Sequence, residues 1–159
     1  ARIVKGLQQC LFLGNLDARR DWGHAKDYVE AMWVMMQQDK PNDYVCATGE
    51  MHKVREFVEL AFKTVGIDLK WQGSGVNEKA FDAKDLSKPI VQIDPRYYRP
   101  TEVESLLGDP RKAKNDLGWV PEISAQDMCK EMVQEDLLEA KKNKLIKSRG
   151  YKTNLSREE

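Results

Sequence analysis

Two stretches of the chain have the apolar spacing of amphipathic helices. In residues 24–38, four side chains follow the i, i+3, i+4, i+7 spacing of one helical face: Val29, Met32, Trp33 and Met36. We interpret this face as core that needs no cofactor. A second set recurs at helical spacing in residues 54–65: Val54, Phe57, Val58, Ala61, Phe62 and Val65. Gly66 follows at the position expected for a left-handed C-terminal cap.

Short apolar runs bounded by turn residues predict the strands. Residues 11–13 and 90–93 are such runs, and residues 69–72 alternate apolar and polar positions as an exposed edge strand does. Residues 44–48 are nearly all apolar and end at Gly49, which is typical of a strand covered on both faces. Helices and strands in this order predict an α/β layer structure.

A charged stretch and two further helices complete the pattern. Residues 73–88 open with Gly-Ser-Gly and are rich in charge, so we expect a mobile loop there. Asp109 and Pro110 predict the start of a short helix that ends at Gly118.

The last predicted helix begins after Ser124, because Ser124 and Asp127 have a capping-box-like spacing, and it reaches about Lys142. Residues 143–159 are charged and irregular in pattern, so we expect a surface or disordered tail.

Composition narrows the class of partner. The 26 basic and 26 acidic residues balance, which leaves no net field to attract nucleic acid or an anionic membrane. No apolar run approaches the roughly 20 residues that span a bilayer. We therefore expect a soluble protein that binds neither. Three widely spaced cysteines indicate reduced, buried thiols in the cytoplasm: Cys10, Cys46 and Cys129.

The length of 159 residues suits one compact folding unit or part of a larger one. The chain starts at Ala1 without an initiator methionine and without the features of a secretory signal. We expect it to be a stretch of a longer protein.

Residues 14–29 place arginine beside the predicted start of a helix. A helix N-terminus offers unpaired N–H groups and the positive end of a dipole, and an arginine adds a planar donor group suited to phosphate. This chemistry favours a phosphorylated small molecule. The alternative is a solvated surface pair formed by Arg19, Arg20 and Asp21.

A second polar cluster, residues 96–104, follows the predicted strand at 90–93. Pro100 biases Arg99 towards an extended backbone. The Arg99 guanidinium is suited to bidentate phosphate binding, and the Glu102 carboxylate to accepting hydrogen bonds from a ribose diol. An exposed loop salt bridge between these two residues explains the pattern equally well.

Together these segments resemble the C-terminal half of the GDP-mannose 4,6-dehydratases, a family of extended short-chain dehydrogenases/reductases. Arg-Asp-Trp-Gly-His-Ala at residues 20–25 and Tyr-Tyr-Arg-Pro-Thr-Glu-Val at residues 97–103 carry the resemblance. Asp-Pro-x-Lys-Ala at 109–113 with Leu-Gly-Trp at 117–119 matches the wider class. The likeness covers nearly the whole chain and weakens at residues 74–89 and in the tail.

The resemblance implies the C-terminal part of a Rossmann-like fold, mostly its smaller substrate-binding domain. Residues 1–142 then form the nucleotide-sugar-binding region, with the last strand and helix of the dinucleotide-binding sheet at about 40–66. Residues 143–159 form a charged tail. The N-terminal half, which binds NADP, is expected to lie outside this chain.

The resemblance also implies roles for individual residues. Arg20 and Arg99 match the arginines that hold the substrate pyrophosphate, and Glu102 matches the acidic residue that holds the ribose. Arg20 takes this role, and not Arg19, because it directly precedes Asp-Trp. The family's catalytic residues lie in the N-terminal half. Tyr28 does not supply the Tyr-x-x-x-Lys pair, since Met32 stands where lysine is required. We expect no catalytic or cofactor-binding residue in this chain.

The activity implied for the whole enzyme is that of a hydro-lyase. It converts GDP-D-mannose to GDP-4-dehydro-6-deoxy-D-mannose with tightly bound NADP, the first step towards GDP-fucose and other GDP-deoxyhexoses. NADP oxidises C4, water is lost between C5 and C6, and the hydride returns to C6. The implied assembly is a cytoplasmic homodimer or homotetramer, and we expect this chain alone to be inactive.

Two alternatives remain open: another nucleotide-sugar epimerase, dehydratase or reductase, or a binding module without catalysis. His24 and His52 are far apart and share no motif, so we interpret them as helix-end or surface residues and expect no metal site.

Overall fold

The computed structural model describes residues 1–151. This part of the chain contains four α-helices and seven short strands. In chain order they are β1 (Leu11–Leu13), β2 (Arg19–Arg20), α1 (Ala25–Met36), β3 (His52–Lys53), α2 (Val54–Thr64), β4 (Leu69–Gln72), β5 (Lys79–Asp82), β6 (Val91–Ile93), β7 (Ser105–Leu106), α3 (Arg111–Leu117) and α4 (Ala125–Ser148).

The chain divides into two compact units, and each draws on separate stretches of sequence. The first contains Ala1–Asn15, Val58–Pro100 and the chain from Lys130 onward. The second contains Leu16–Phe57 and Thr101–Cys129.

The first unit contains a four-stranded sheet in the order β1-β6-β5-β4. β1 and β6 run parallel, while β5 is antiparallel to both β6 and β4. Val91 in β6 and Ala80 in β5 are fully buried. The strands predicted at 11–13, 69–72 and 90–93 are confirmed, and β4 lies at the sheet edge as its alternating pattern predicts.

The prediction of a mobile loop over residues 73–88 is wrong. A 3-10 turn at Gly75–Asn77 is followed by β5, which pairs with strands on both sides. Ala80 and Phe81 are the apolar positions of this strand, and charged residues flank them. The charges concealed a strand that is held by its neighbours in the sheet and not by its own composition.

The predicted end of α2 is confirmed in detail. Gly66 has a φ of +79°, its N–H donates to the Lys63 carbonyl, and the Ile67 N–H donates to the Phe62 carbonyl, each over 3.0 Å. These two bonds form a Schellman motif, which satisfies carbonyls that the helix end leaves unpaired.

The second unit contains a three-stranded sheet, β3-β2-β7, in which each strand has only two residues. Its core is the cluster of Ala31, Ala113 and Trp119. The Trp119 indole donates to the Asp27 carbonyl over 3.0 Å, and the buried Asp27 carboxylate accepts from the Ile123 N–H over 3.1 Å. These bonds satisfy polar groups that burial would otherwise penalise.

Helix α1 forms as predicted, but the interpretation of its apolar face as core is wrong. Val29, Met32, Trp33 and Met36 are 59–74% exposed. The side of α1 that packs carries Tyr28, Ala31 and Met35, a neighbouring stripe of the same helix. Periodicity identified the helix but not which of its apolar stripes the chain covers.

The strand predicted at residues 44–48 is absent from the described chain. Tyr44 and Cys46 pack against the core of the second unit and Ala47 is buried, yet residues 1–151 provide no strand that pairs with this segment. A strand exists only through hydrogen bonds to a neighbour. The apolar side chains of residues 44–48 therefore contribute to packing, but the described chain provides no strand hydrogen bonds for this segment.

The last two helices differ slightly from prediction. Pro110 precedes the first residue of α3, and the Asp109 carboxylate accepts from the Arg111 N–H over 3.0 Å. Gly118 ends α3 in the left-handed conformation, as predicted. The Ser124 hydroxyl accepts from the Asp127 N–H at the predicted start of α4.

Helix α4 continues to Ser148, so the expectation of irregular chain from Asn143 is wrong as far as that residue. Residues 152–159 of the predicted tail lie outside the described range.

The three cysteines are free thiols. Cys129 is buried, as expected, whereas Cys10 and Cys46 are only partly buried. Burial is the largest cause of a raised pKa in all three, which keeps them as neutral thiols near pH 7. Within residues 1–151 no helix combines the length and the apolar character that crossing a bilayer requires.

Candidate functional site

Arg20 lies on the central strand of the small sheet in the second unit. In β2, Arg19 pairs with Lys53 and Ser105, and Arg20 pairs with His52 and Leu106. Successive strand residues point to opposite faces, which separates the two arginines. Arg19 is exposed and Arg20 is partly buried. The two arginines therefore differ in surroundings, and the partly buried one is the residue that precedes Asp-Trp in the sequence motif.

Three acceptors fix the Arg20 guanidinium. Nη1 donates to the carbonyls of Arg19 and Val103 over 2.7 and 2.8 Å, and Nη2 donates to Glu102 Oε1 over 2.7 Å. Of the five guanidinium hydrogens, the Nε–H and one on Nη2 have no acceptor among residues 1–151. The side chain is thus held in position with two donors remaining for a ligand.

Glu102 lies against Arg20 in the same unit. Its Oε1 accepts from Arg20 and, over 3.2 Å, from the Val103 N–H. Its Oε2 receives no hydrogen bond from residues 1–151, so this oxygen can accept from a hydroxyl pair. The two side chains are 22% and 19% exposed. This pair is therefore screened less by salt than a fully exposed one.

Arg99 belongs to the first unit, where its backbone is fixed and its side chain is exposed. Asn15 makes two bonds to it: the Arg99 N–H donates to Oδ1 over 2.8 Å, and Nδ2 donates to the Arg99 carbonyl over 2.9 Å. Its guanidinium has no hydrogen bond or ion pair with any described residue. Gly14 allows this approach, because a Cβ there would collide with the Tyr97 carbonyl.

The alternative of a purely exposed salt bridge does not describe Glu102. Its partner is Arg20, on a different strand and partly buried. Arg96, in contrast, pairs with Asp94 two residues away, and both ends of that contact belong to one turn. The hydrogen bond from Arg96 is the main cause that lowers the Asp94 pKa.

Two residues with clear structural roles were missed in the sequence. Asn15 appeared only as part of a turn, and Asp21 only as a surface partner for arginine. The Asp21 carboxylate instead accepts hydrogen bonds from the backbone of Thr48, Gly49 and Gly108. The position of Asp21 directly after Arg20 was the available signal for that residue, whereas Asn15 is 84 residues from Arg99 in the sequence and gave no signal.

The other titratable residues considered in the sequence are Tyr28, His24 and His52, and their contacts are with neighbouring protein groups. Burial raises the Tyr28 pKa, so its phenol stays neutral near pH 7. His24 caps α1, and its Nδ1 accepts from the Lys26 N–H over 3.1 Å, which confirms the interpretation of a helix-end residue. His52 lies 3.9 and 4.0 Å from the carboxylates of Glu50 and Glu56. No cluster of three metal-ligating side chains occurs in the described part, and the absence of a metal stays a prediction.

Comparison with known families identifies a match. A family model described as "GDP-mannose 4,6 dehydratase" matches residues 1–132. The GDP-mannose 4,6-dehydratase of Vibrio cholerae is 52% identical to this chain over 160 aligned residues. That alignment covers 95% of the chain and 43% of the relative. The chain therefore spans less than half the length of this curated relative.

Solved structures match the fold at low sequence identity. RMD from Pseudomonas aeruginosa, complexed with NADPH, has a TM-score of 0.63 at 20% identity. The dTDP-glucose 4,6-dehydratase of Bacillus anthracis, in complex with NAD, has a TM-score of 0.60 at 18% identity. Each comparison covers 84% of this chain, but only 38% and 35% of the respective structures. The fold is thus that of a part of the extended short-chain dehydrogenase/reductase architecture.

Proposed function

Because the chain belongs to the GDP-mannose 4,6-dehydratase family, we propose that it contributes to the conversion of GDP-D-mannose to GDP-4-dehydro-6-deoxy-D-mannose. This is hydro-lyase chemistry, the first step towards GDP-fucose and other GDP-deoxyhexoses. The share of this chain is to bind the GDP moiety. The chemical step belongs to parts of the enzyme that this chain does not match, so the chain alone is inactive.

The observation that carries the proposal is the Arg20–Glu102 pair. Arg20 is anchored by Glu102 and two carbonyls and retains two N–H donors, the number that bidentate binding of a phosphate uses. Glu102 retains one carboxylate oxygen, which suits a ribose diol. One cation and one anion held together thus match adjacent parts of a nucleoside diphosphate.

Arg99 is proposed as the second pyrophosphate contact. Its support is threefold: its place in the Tyr-Tyr-Arg-Pro-Thr-Glu-Val motif, a guanidinium without a partner among residues 1–151, and the backbone that Asn15 holds. Asn15 fixes where the side chain leaves the backbone, while the long side chain itself remains adjustable. Ordering it on the ligand costs side-chain entropy, which a charge-assisted pair of hydrogen bonds offsets.

Anchoring the nucleotide contributes to catalysis without touching the reacting atoms. Binding energy from a remote group orients the sugar, and orientation lowers the barrier of the chemical step. Arg20, Arg99 and Glu102 are therefore substrate-binding residues and none of them is catalytic.

The cofactor proposed for the whole enzyme is NADP, which accepts and returns the hydride. The segment at residues 73–75 does not fit its pyrophosphate. Gly73 and Gly75 lie between β4 and a 3-10 turn, whereas a dinucleotide fingerprint requires a glycine-rich turn that leads into an α-helix. We propose that NADP is bound mainly by the N-terminal half of the enzyme. We further propose that the enzyme acts in the cytoplasm as a homodimer or homotetramer.

A nucleotide panel tests the proposal. With the protein expressed from its complete coding sequence, titration calorimetry should show GDP binding at least about tenfold more tightly than UDP, dTDP or CDP. Guanosine without phosphates should bind far more weakly, because it makes no contact with Arg20. Equal affinity for the four diphosphates would indicate another nucleotide-sugar enzyme. No measurable GDP binding would contradict the assignment.

A further inference from the structure

Asp21 makes four side-chain hydrogen bonds within the second unit. Oδ1 accepts from the Thr48 N–H over 2.9 Å and from the Thr48 hydroxyl over 2.6 Å. Oδ2 accepts from the Gly49 N–H over 3.0 Å and, more weakly, from the Gly108 N–H over 3.4 Å. A carboxylate is the only side-chain group that can accept all four at once with two oxygens.

These bonds join the three strands of the small sheet. Asp21 directly follows β2, and its own N–H donates to the Leu106 carbonyl at the end of β7 over 3.1 Å. Gly108 lies two residues after β7. Thr48 and Gly49 belong to the turn that leads into β3. One carboxylate therefore fastens the chain after β7 and before β3 to the end of β2.

The sheet needs such a fastening because its ladder is short. Each strand has two residues, so few backbone bonds set the register. β7 is entered through Glu102 and Val103, which hold the Arg20 guanidinium. A shift of β7 along β2 moves both acceptors relative to Arg20.

We propose that Asp21 is a positioning residue for the nucleotide site: it fixes the register of β7 against β2 and thereby holds Glu102 and Val103 at Arg20. The inference rests on the proposed function of the Arg20–Glu102 pair in binding GDP. Asp21 itself need not contact the ligand. Its carboxylate already accepts from four internal donors, which fill the acceptor positions of its two oxygens.

The substitution Asp21→Asn tests this role. It keeps the shape of the side chain but replaces one acceptor oxygen with an NH2 group that faces backbone donors. In the protein expressed from its complete coding sequence, the Kd for GDP and the KM for GDP-mannose should each rise about tenfold, because a small misplacement of binding groups is costly. The kcat at saturating substrate should change less than twofold, since the chemical groups are elsewhere.

Asp17→Asn is the matched control. Asp17 lies four residues earlier in the same unit and pairs with Lys53 and Arg55 over 3.2 and 3.3 Å. The same chemical change there should lower thermal stability and leave the GDP affinity within twofold. Thr48→Val, which removes only the hydroxyl donor, should raise the Kd in the same direction by a smaller factor.

The outcomes distinguish this inference from the proposed function. Failure of the unmodified protein to bind GDP overturns the proposed function. Normal GDP binding with an unchanged Kd in folded Asp21→Asn overturns the positioning role, as does a fall in kcat with no change in KM. If Asp21→Asn does not fold, the Kd of Thr48→Val decides: a rise supports the role and an unchanged value refutes it.

Discussion

Replacing Arg99 and Arg20 one at a time separates ligand binding from fold stability. The Arg99 guanidinium is exposed and has no partner among residues 1–151, so Arg99→Ala breaks no internal bond of its side chain. Stability should change by less than about 0.5 kcal/mol. Loss of a charge-assisted contact with phosphate costs about 1.5–3 kcal/mol, which raises the Kd for GDP by about 13- to 160-fold.

Arg20→Ala should lower both the affinity for GDP and the stability of the fold. It removes the same kind of ligand contact and also three internal hydrogen bonds, to Glu102 and to the carbonyls of Arg19 and Val103. Since Glu102 is left partly buried without its cation, we expect a loss of about 1–3 kcal/mol in the free energy of unfolding. This is below the cost for fully buried pairs because both side chains retain about a fifth of their exposure. The melting temperature should fall by about 2–12 °C.

Titration calorimetry with GDP and differential scanning calorimetry measure the two effects. Arg96→Ala is the control, because Arg96 lies three residues before Arg99, is 77% exposed and pairs only within its own turn; it should leave GDP affinity unchanged. An Arg99→Ala protein with a Kd within twofold of normal removes Arg99 from the site. Equal losses of stability in the Arg99 and Arg20 variants would refute the structural contrast drawn between them.

Two further predictions concern stability alone. Asp17 has a pKa below its ordinary value of 3.8, mainly through the hydrogen bond from Arg55, so its contribution is complete above pH 3.8 and is lost as the pH falls through the lowered pKa. Urea unfolding should therefore show Asp17→Asn less stable than the unmodified protein at pH 7, with a gap in unfolding free energy that narrows as the pH falls below 3.8; a constant gap contradicts this. Ser124→Ala removes the acceptor for the Asp127 N–H and should cost about 1 kcal/mol with an unchanged m value. A fully retained urea midpoint would show that the cap contributes nothing.

The parts of the fold that local rules determine were predictable. The Gly66 and Gly118 helix ends and the Ser124 start depend on residues only a few positions apart. Strands 11–13 and 90–93 needed only a short apolar run. In these cases the side chains, the backbone conformation and the hydrogen-bond partners all lie within one turn or strand, so sequence spacing contains the needed information.

The errors share a different cause, which is pairing over long sequence distances. Residues 79–82 become a strand because β4 and β6 lie on either side, whereas residues 44–48 have a stronger strand pattern and no pairing neighbour in the described chain. β2 and β7 have two residues each, too few to show any periodicity. An apolar pattern indicates a β-strand propensity, and pairing with neighbouring strands in the fold decides whether a strand forms.

The candidate site was predictable as residue types but not as an arrangement. The motifs identified Arg20, Arg99 and Glu102, yet the bond between Arg20 and Glu102 joins positions 82 residues apart. Asp21 was visible in the sequence, but its function depends on donors at Thr48 and Gly108, which only the fold brings to it.

The exposed face of α1 carries Trp33, so the burial of this face can be followed by tryptophan fluorescence. Trp33 is 59% exposed on that face, while Trp119 is 4% exposed in the core of the second unit. Indole emission shifts to shorter wavelength when water leaves the ring, so any partner or chain segment that covers α1 will shift the Trp33 contribution and leave Trp119 unaffected. Fluorescence of a Trp33→Phe variant, subtracted from that of the unmodified protein, would isolate the signal.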